Sequence, residues 1–252
     1  MKKMITMLII VGLSQMIAFS QQKYEMVIEK TDGTRLFINI EDHVRTYFRE
    51  RNNDDGTYYL SCPDTNHPHM IDLGLSSGTK WACCNVGASK PEDYGEYYAW
   101  GETHTKSIYN WDTYLYGNWD NVVNIGSDIA GTCYDVATVN WGVLWCMPSK
   151  EQFLELINST DWNWKTQNGV YGISFTGTNG GTLFFPLAGS RWNDELIGTG
   201  VTERSGGFYW SSSIYESSCA YNFYFQIPGS VDIGIGNVAR VGGLCVRPVH
   251  SY

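Results

Sequence analysis

The sequence predicts an α+β protein: two helices and a twisted, mostly antiparallel sheet, rich in loops, with a small β-hairpin module in front. Three observations carry this. Almost everything after Asn168 reads as short β-prone runs split by Gly, Asn and Pro turns, among them "YGISFTG", "TLFFPLAG", "FYWSSSIY", "AYNFYFQI" and "GGLCVRPV". Two stretches carry helix start and stop signals. Near the N-terminus, two β-prone runs flank Asp32-Gly33.

The first twenty residues read as a secretory signal rather than as part of the fold. Lys2 and Lys3 form a positive n-region, Met4 to Ile17 an apolar run too short for a stable span, and Ala18-Phe19-Ser20 a small-residue cleavage site. Cleavage leaves a mature chain from Gln21 with no membrane span. No Cys sits at the cleavage point to take a lipid. The module over residues 21–48 follows, "YEMVIEK" and "RLFINI" joined through "TDGT", where Gly supplies the positive φ that favoured hairpin turns require. A lone hairpin is unstable in water and has to dock on something else. The polar run "RERNNDDGT" opens a linker over residues 49–69, and the main domain spans residues 70–250.

Within that domain Asp135 is the N-cap of a first helix and Gly142 its stop. In "MPSKEQFLELINST", Ser149 and Gln152 have capping-box spacing, and Phe153, Leu156 and Ile157 make the apolar stripe, with Leu154 at its edge. Along "AYNFYFQ", Tyr221, Phe223 and Phe225 alternate with Asn222, Tyr224 and Gln226, which predicts one buried and one semi-polar face. Phe208 and Trp210 are assigned to the same buried side. With "IPGSVDIGIG" as a connecting loop, "LCVRPV" pairs antiparallel with that strand. Cys219 then falls opposite Cys245, and a disulfide between them is geometrically allowed. Arg247, set between apolar residues, reads as a core charge partner.

Composition bounds the function. The chain of 252 residues has a net charge of −9, and losing Lys2 and Lys3 takes it to about −11. An acidic exported protein is repelled by nucleic acid and by anionic membranes, so neither is an expected partner. Seven cysteines in an exported chain permit disulfides but leave at least one sulfur outside any intramolecular pair. There is no Cys-x-x-Cys for a structural zinc, and no cofactor is implied.

At "IDLGLSSGTKWACCNVGASKPEDYGEYYAWGE" the sequence resembles the Fibrobacter succinogenes major paralogous domain, abundant in exported proteins of Bacteroidetes. The blocks "DVATVNWGVLWCMPSKEQFLELIN", "WNWKTQNGVYGISFTG", "TLFFPLAGSR", "GGFYWSSSIY" and "CVRPV" follow in the same order, covering residues 70–249. The resemblance implies a C-type-lectin-like fold related to that of formylglycine-generating enzymes, whose "R-L-P-T-E-A-E-W" block is similar to "WCMPSKEQF". The chain departs from the pattern at Cys146, where Arg is usual, at Cys83, where Thr is usual, and at Ser159, where Cys is common. Some proteins of this resemblance are diversified by retroelements in their last strands. That implies changeable ligand contacts at Trp192, Asn193, Tyr215, Glu216, Asn222 and Tyr224.

Catalytic readings find little support. Formylglycine generation needs two nearby cysteines to hold copper, and Cys146, Cys219 and Cys245 lie far apart in sequence. Trp192-Asn193-Asp194 matches the "WND" of calcium-dependent lectins but has no "EPN" or "QPD" before it, so a polar loop tip is the plainer reading. His67-Pro68-His69 lacks a third ligand, and no nucleophile elbow occurs. Glu92, Asp93, Glu96 and Glu102 are either a glycosidase pair in disguise or a solvated acidic loop, the second being preferred. The rings from Tyr97 to Asp120 either stack on sugars or bury long loops that hold few aliphatic residues, again the second being preferred. The expectation is a secreted or cell-surface, non-enzymatic binding or adhesion protein with a glycan or protein ligand. A fimbria-like envelope subunit is the alternative, and an enzyme of formylglycine-generating or glycosidase type a weaker one.

Overall fold

The computed structural model describes residues 24–29, 35–40, 69–201, 205–226 and 232–250. The chain separates into two compact units, residues 1–52 and 53–252. In the first, β1 (Tyr24–Glu29) and β2 (Arg35–Ile40) pair antiparallel with Glu29 opposite Arg35, as the Asp-Gly signal predicts. The signal stretch 1–20, the polar run 49–57, Cys62, His43 and His67 lie outside the described residues.

The second unit begins with β3 (Met70–Asp72) and β4 (Lys80–Ala82), then a long loop region holding the short hairpin β5 (Gly117–Asn118) and β6 (Asn121–Val122). Helix α1 (Val136–Trp141) follows, capped by the Asp135 carboxylate on the amides of Ala137 and Thr138 and stopped at Gly142, whose φ is 95°. After β7 (Trp145–Cys146), helix α2 (Lys150–Ser159) starts on the full capping box of Ser149 and Gln152 and buries Phe153 and Leu156. Leu154 is exposed. Both helix readings hold because each rests on local hydrogen bonding.

The strands are more numerous than the sequence suggests. β8 (Asp161–Gln167), β9 (Val170–Thr176) and β10 (Thr182–Pro186) form an antiparallel three-stranded sheet. β11 (Ala188–Trp192), β12 (Glu195–Thr199), β13 (Gly206–Glu216), β14 (Cys219–Gln226) and β15 (Asp232–Ala239) form a five-stranded sheet in the order β12-β11-β13-β14-β15. Its one parallel contact sets Gly189 beside Gly207, where a Cβ on Gly207 would strike the Phe225 ring at 2.2 Å. β16 (Val249–His250) inserts between β4 and β7 and completes a four-stranded sheet. The unit is thus mostly β with two helices and a mixed, largely antiparallel sheet, consistent with an α+β class.

Core packs on both faces of the five-stranded sheet, which overturns the single-faced reading of its middle strands. Tyr209, Phe223 and Phe225 join one apolar cluster with Phe153, Phe175 and Phe185, in which Phe153 stacks on Phe223 at 5.0 Å. Trp210 and Ala220 point the other way, into a second cluster with Trp100, Trp141 and Trp145. Trp210 therefore does not share a side with Phe223. Asn222, opposite Trp210, is buried, not on a solvent face, while Phe208 and Tyr221 are half-buried.

The proposed disulfide does not form. The segment expected to be a loop supplies β15, so the partner of Cys219 across the ladder is Ala239. Cys245 instead lies beside Tyr209, buried, with its thiol directed to the Tyr94 carbonyl at 3.2 Å, and both cysteines are free thiols. Arg247 is a core residue as expected, yet its partners are neutral: the Asn85 side chain and the Ala82 and Cys83 carbonyls, with the Phe185 ring beneath.

Candidate ligand-binding site

The aromatic loop region is mostly interior. Tyr97 donates to the Ala188 carbonyl, Tyr109 to the Tyr97 carbonyl and Tyr114 to the Trp100 carbonyl, each within 2.7 Å. Burial pushes all three phenols above their usual range. These rings bury a long loop by giving each hydroxyl a main-chain acceptor. Two neighbours stay out: Leu115 is exposed, and Trp119, at the β5–β6 turn, is 72% exposed with its edge against Trp111 at 5.9 Å.

A cleft of about 470 Å³ opens where this region meets the tip of the β13–β14 hairpin. The irregularity in β13 creates it. Between Trp210 and Ile214 the strand slips register with β14, and the freed serine segment bonds elsewhere. Ser212 N–H donates to the Pro148 carbonyl, Ile129 N–H to the Ser212 carbonyl, and Ile214 N–H to the Ser127 carbonyl. Residues 122–127 are thereby drawn alongside the hairpin tip, and one wall holds Val123, Asn124 and Ser127, the other Ile214, Glu216 and Ser217.

Arg240 also lines the cleft, although its residue is fully buried. Its own amide donates to Ser218 O and its carbonyl accepts from Trp100 N–H, which fixes the main chain just past the end of β15. The guanidinium lies over the Trp100 ring at 4.7 Å and the Tyr114 ring at 5.4 Å. Nε donates to Tyr114 Oη at 2.8 Å, and Nη1 to the Val123 and Ser217 carbonyls at 3.1 and 3.0 Å.

The six expected contact residues do not converge. Glu216 is in the cleft wall and Tyr215, 49% exposed, stands next to it with its ring edge-on to Tyr221 at 5.2 Å. Trp192 and Asn193 sit at the β11–β12 turn instead. There Trp192 is half-buried and its Nε1 donates to Ser190 Oγ, while Asn193, at φ 50°, exchanges main-chain hydrogen bonds with Tyr109. Asn222 is 4% exposed, and Tyr224 is half-buried against Gly234 and Gly236 of β15. Asn222 is thus buried in the fold and Trp192 half-buried, whereas Asn193 is exposed at its turn. Sequence reasoning placed the serines of residues 206–225, Ser217 among them, where a ligand could be met, and missed Arg240, Asn124 and Ser127. The signal available was a lone cation in the apolar and glycine-rich "NVARVGG".

Three of the four acidic candidates make local contacts. Glu102 is buried, accepts from Leu115 N–H and pairs with Lys106 at 2.8 Å. Glu92 accepts from Asn168 Nδ2, and Asp93 from Ser89 N–H. Among the described residues no three of His, Cys, Asp and Glu come together. Comparison with protein-family models, curated proteins and solved structures finds no match for the chain.

Proposed function

We propose that this chain is a non-enzymatic binding or adhesion protein of the cell exterior, with a C-type-lectin-like fold and a glycan or protein ligand. The observation that carries this reading is the cleft at the tip of the β13–β14 hairpin. It is large enough for one or two sugar units or a short side-chain cluster, mixes apolar and polar walls, and lies beside the exposed Tyr215. Trp210 Nε1 donates to Tyr98 O and Trp100 Nε1 to Ser211 O, which ties β13 to the loop region just before the cleft. Glu92, Asp93 and Glu102 are engaged in local hydrogen bonds and an ion pair, which fits a binding role better than glycoside hydrolysis.

The test is a glycan array together with a pull-down from envelope extract, using the chain from Gln21 onward with and without calcium. Saturable capture that Ser127→Trp, which fills the cleft, abolishes is the expected result. Turnover of a glycan, or capture indifferent to the cleft, overturns the reading.

A further inference from the structure

We infer that the cleft recognises a carboxylate carried on a sugar, with Arg240 as the anchoring cation. The inference rests on the binding reading above and names its ligand class.

The guanidinium presents an imbalance. It is fully buried, yet every bond it makes goes to a neutral acceptor: Tyr114 Oη and the carbonyls of Val123 and Ser217. Among the described residues no carboxylate lies within ion-pair distance, and Nη2, with two N–H donors, has no hydrogen-bond partner. Burying a cation without a counter-charge is costly, and at the wall of a cleft an incoming anion can offset that cost. The Trp100 and Tyr114 rings and the Tyr114 hydroxyl hold the group in place, so little freedom of the Arg240 side chain is lost on binding. Arg247 makes the contrast. It too is fully buried among neutral partners with its Nη2 unpartnered, but it is not among the residues that line this cleft.

The walls decide what carries the carboxylate. Asn124, Ser127 and Ser217 offer hydroxyl and amide partners around the cation, Val123 and Ile214 offer apolar contact for ring C–H groups, and Glu216 accepts from hydroxyls at the rim. A pyranose bearing one carboxylate satisfies all three. The Glu216 charge and the overall charge of −9 disfavour phosphate-rich or polysulfated ligands, which bring several negative charges to the same rim. The hairpin that contributes Val122 to the cleft also carries the exposed Trp119, a further surface for a neighbouring sugar ring.

Calorimetric titration of the chain from Gln21 with sodium glucuronate, with glucose and with an acidic pentapeptide decides the matter. Glucuronate is expected to bind at least about tenfold more tightly than glucose, with affinity falling as salt rises. Arg240→Lys should lose about tenfold or more, because a point charge cannot keep the Tyr114 and carbonyl bonds while also meeting the ligand. Glu216→Gln, an exposed change that leaves the fold intact, should tighten glucuronate about twofold to fivefold by removing a like charge, and so serves if Arg240→Lys does not fold. Equal affinity for glucose and glucuronate, or no response to Glu216→Gln, overturns the inference. So does saturation by the peptide alone. A neutral glycan found on the array would sink the carboxylate assignment while leaving the binding reading standing.

Discussion

Arg247 Nε donates to Asn85 Oδ1 at 2.7 Å in the core, where neither side chain touches solvent. The amide oxygen is the acceptor that a carboxylate would ordinarily be, and burial lowers the guanidinium pKa from its usual value. Asn85 is held in turn by donating to the Tyr94 carbonyl. Asn85→Ala leaves a buried charged donor without its acceptor, and is expected to cost about 2–4 kcal/mol, read from the urea midpoint. A loss below about 0.5 kcal/mol would mean that the main-chain carbonyls suffice.

Asp135 is another interior ionisable group, and its oxygens accept five hydrogen bonds. One oxygen takes the amides of Ala137 and Thr138, the other those of Gly131 and Met147 and the Thr138 hydroxyl. Asp135→Asn keeps the shape but turns one oxygen into a donor facing donors, whichever way the amide lies. The expected loss is about 2–3 kcal/mol by thermal or urea unfolding. A neutral outcome would contradict the hydrogen-bond pattern.

Glu155 predicts a pH dependence. Burial pushes its pKa up, but the hydroxyl and amide of Ser77 and the hydroxyl of Ser76 outweigh it, so the folded value lies below 4.5. A depressed carboxylate stabilises above the unfolded value and loses that contribution as pH falls through the folded one. Glu155→Gln should therefore melt below the wild type at neutral pH, and the gap in Tm should narrow below a pH of about 4.5. A gap that widens in acid would reverse the sign.

Gly207 is predicted to be intolerant of any side chain. A Cβ there would lie within 2.8 Å of three Phe225 ring atoms, in a core already packed on that face. Gly207→Ala should destabilise by about 1–3 kcal/mol, and pairing it with Phe225→Leu should recover part of the loss. Full additivity in that double-mutant cycle would show that the two sites do not touch.

Thiol chemistry checks the corrected topology. Cys133 is exposed, whereas burial pushes the Cys245 thiol far up and raises Cys219 as well. Iodoacetamide should label Cys133 in the folded protein and Cys245 only after unfolding, as read by peptide mass spectrometry. A linked Cys219–Cys245 peptide would restore the disulfide.

What was legible in the sequence was local. Asp135 and Ser149 cap helices through bonds to amides two or three residues on, the β-prone runs flanking Asp32-Gly33 pair as adjacent strands, and Tyr97, Tyr109 and Tyr114 are buried in a region with few aliphatic side chains. Tertiary structure decided the rest. Alternation along β14 tells which residues share a face but not whether both faces are covered, and a second core on the far side buries Asn222. The strand β15 takes the place of a loop by pairing along the whole of β14, from Cys219 opposite Ala239 to Gln226 opposite Asp232, a register visible only with the partner strand in place. The cleft depends on residues more than a hundred positions apart: Tyr114 and Val123 meet Arg240 only after the β13 irregularity draws residues 122–127 beside the hairpin. Short-range hydrogen bonds are written in neighbouring residues, while burial, charge compensation and the shape of a site belong to surfaces that the chain assembles only by folding.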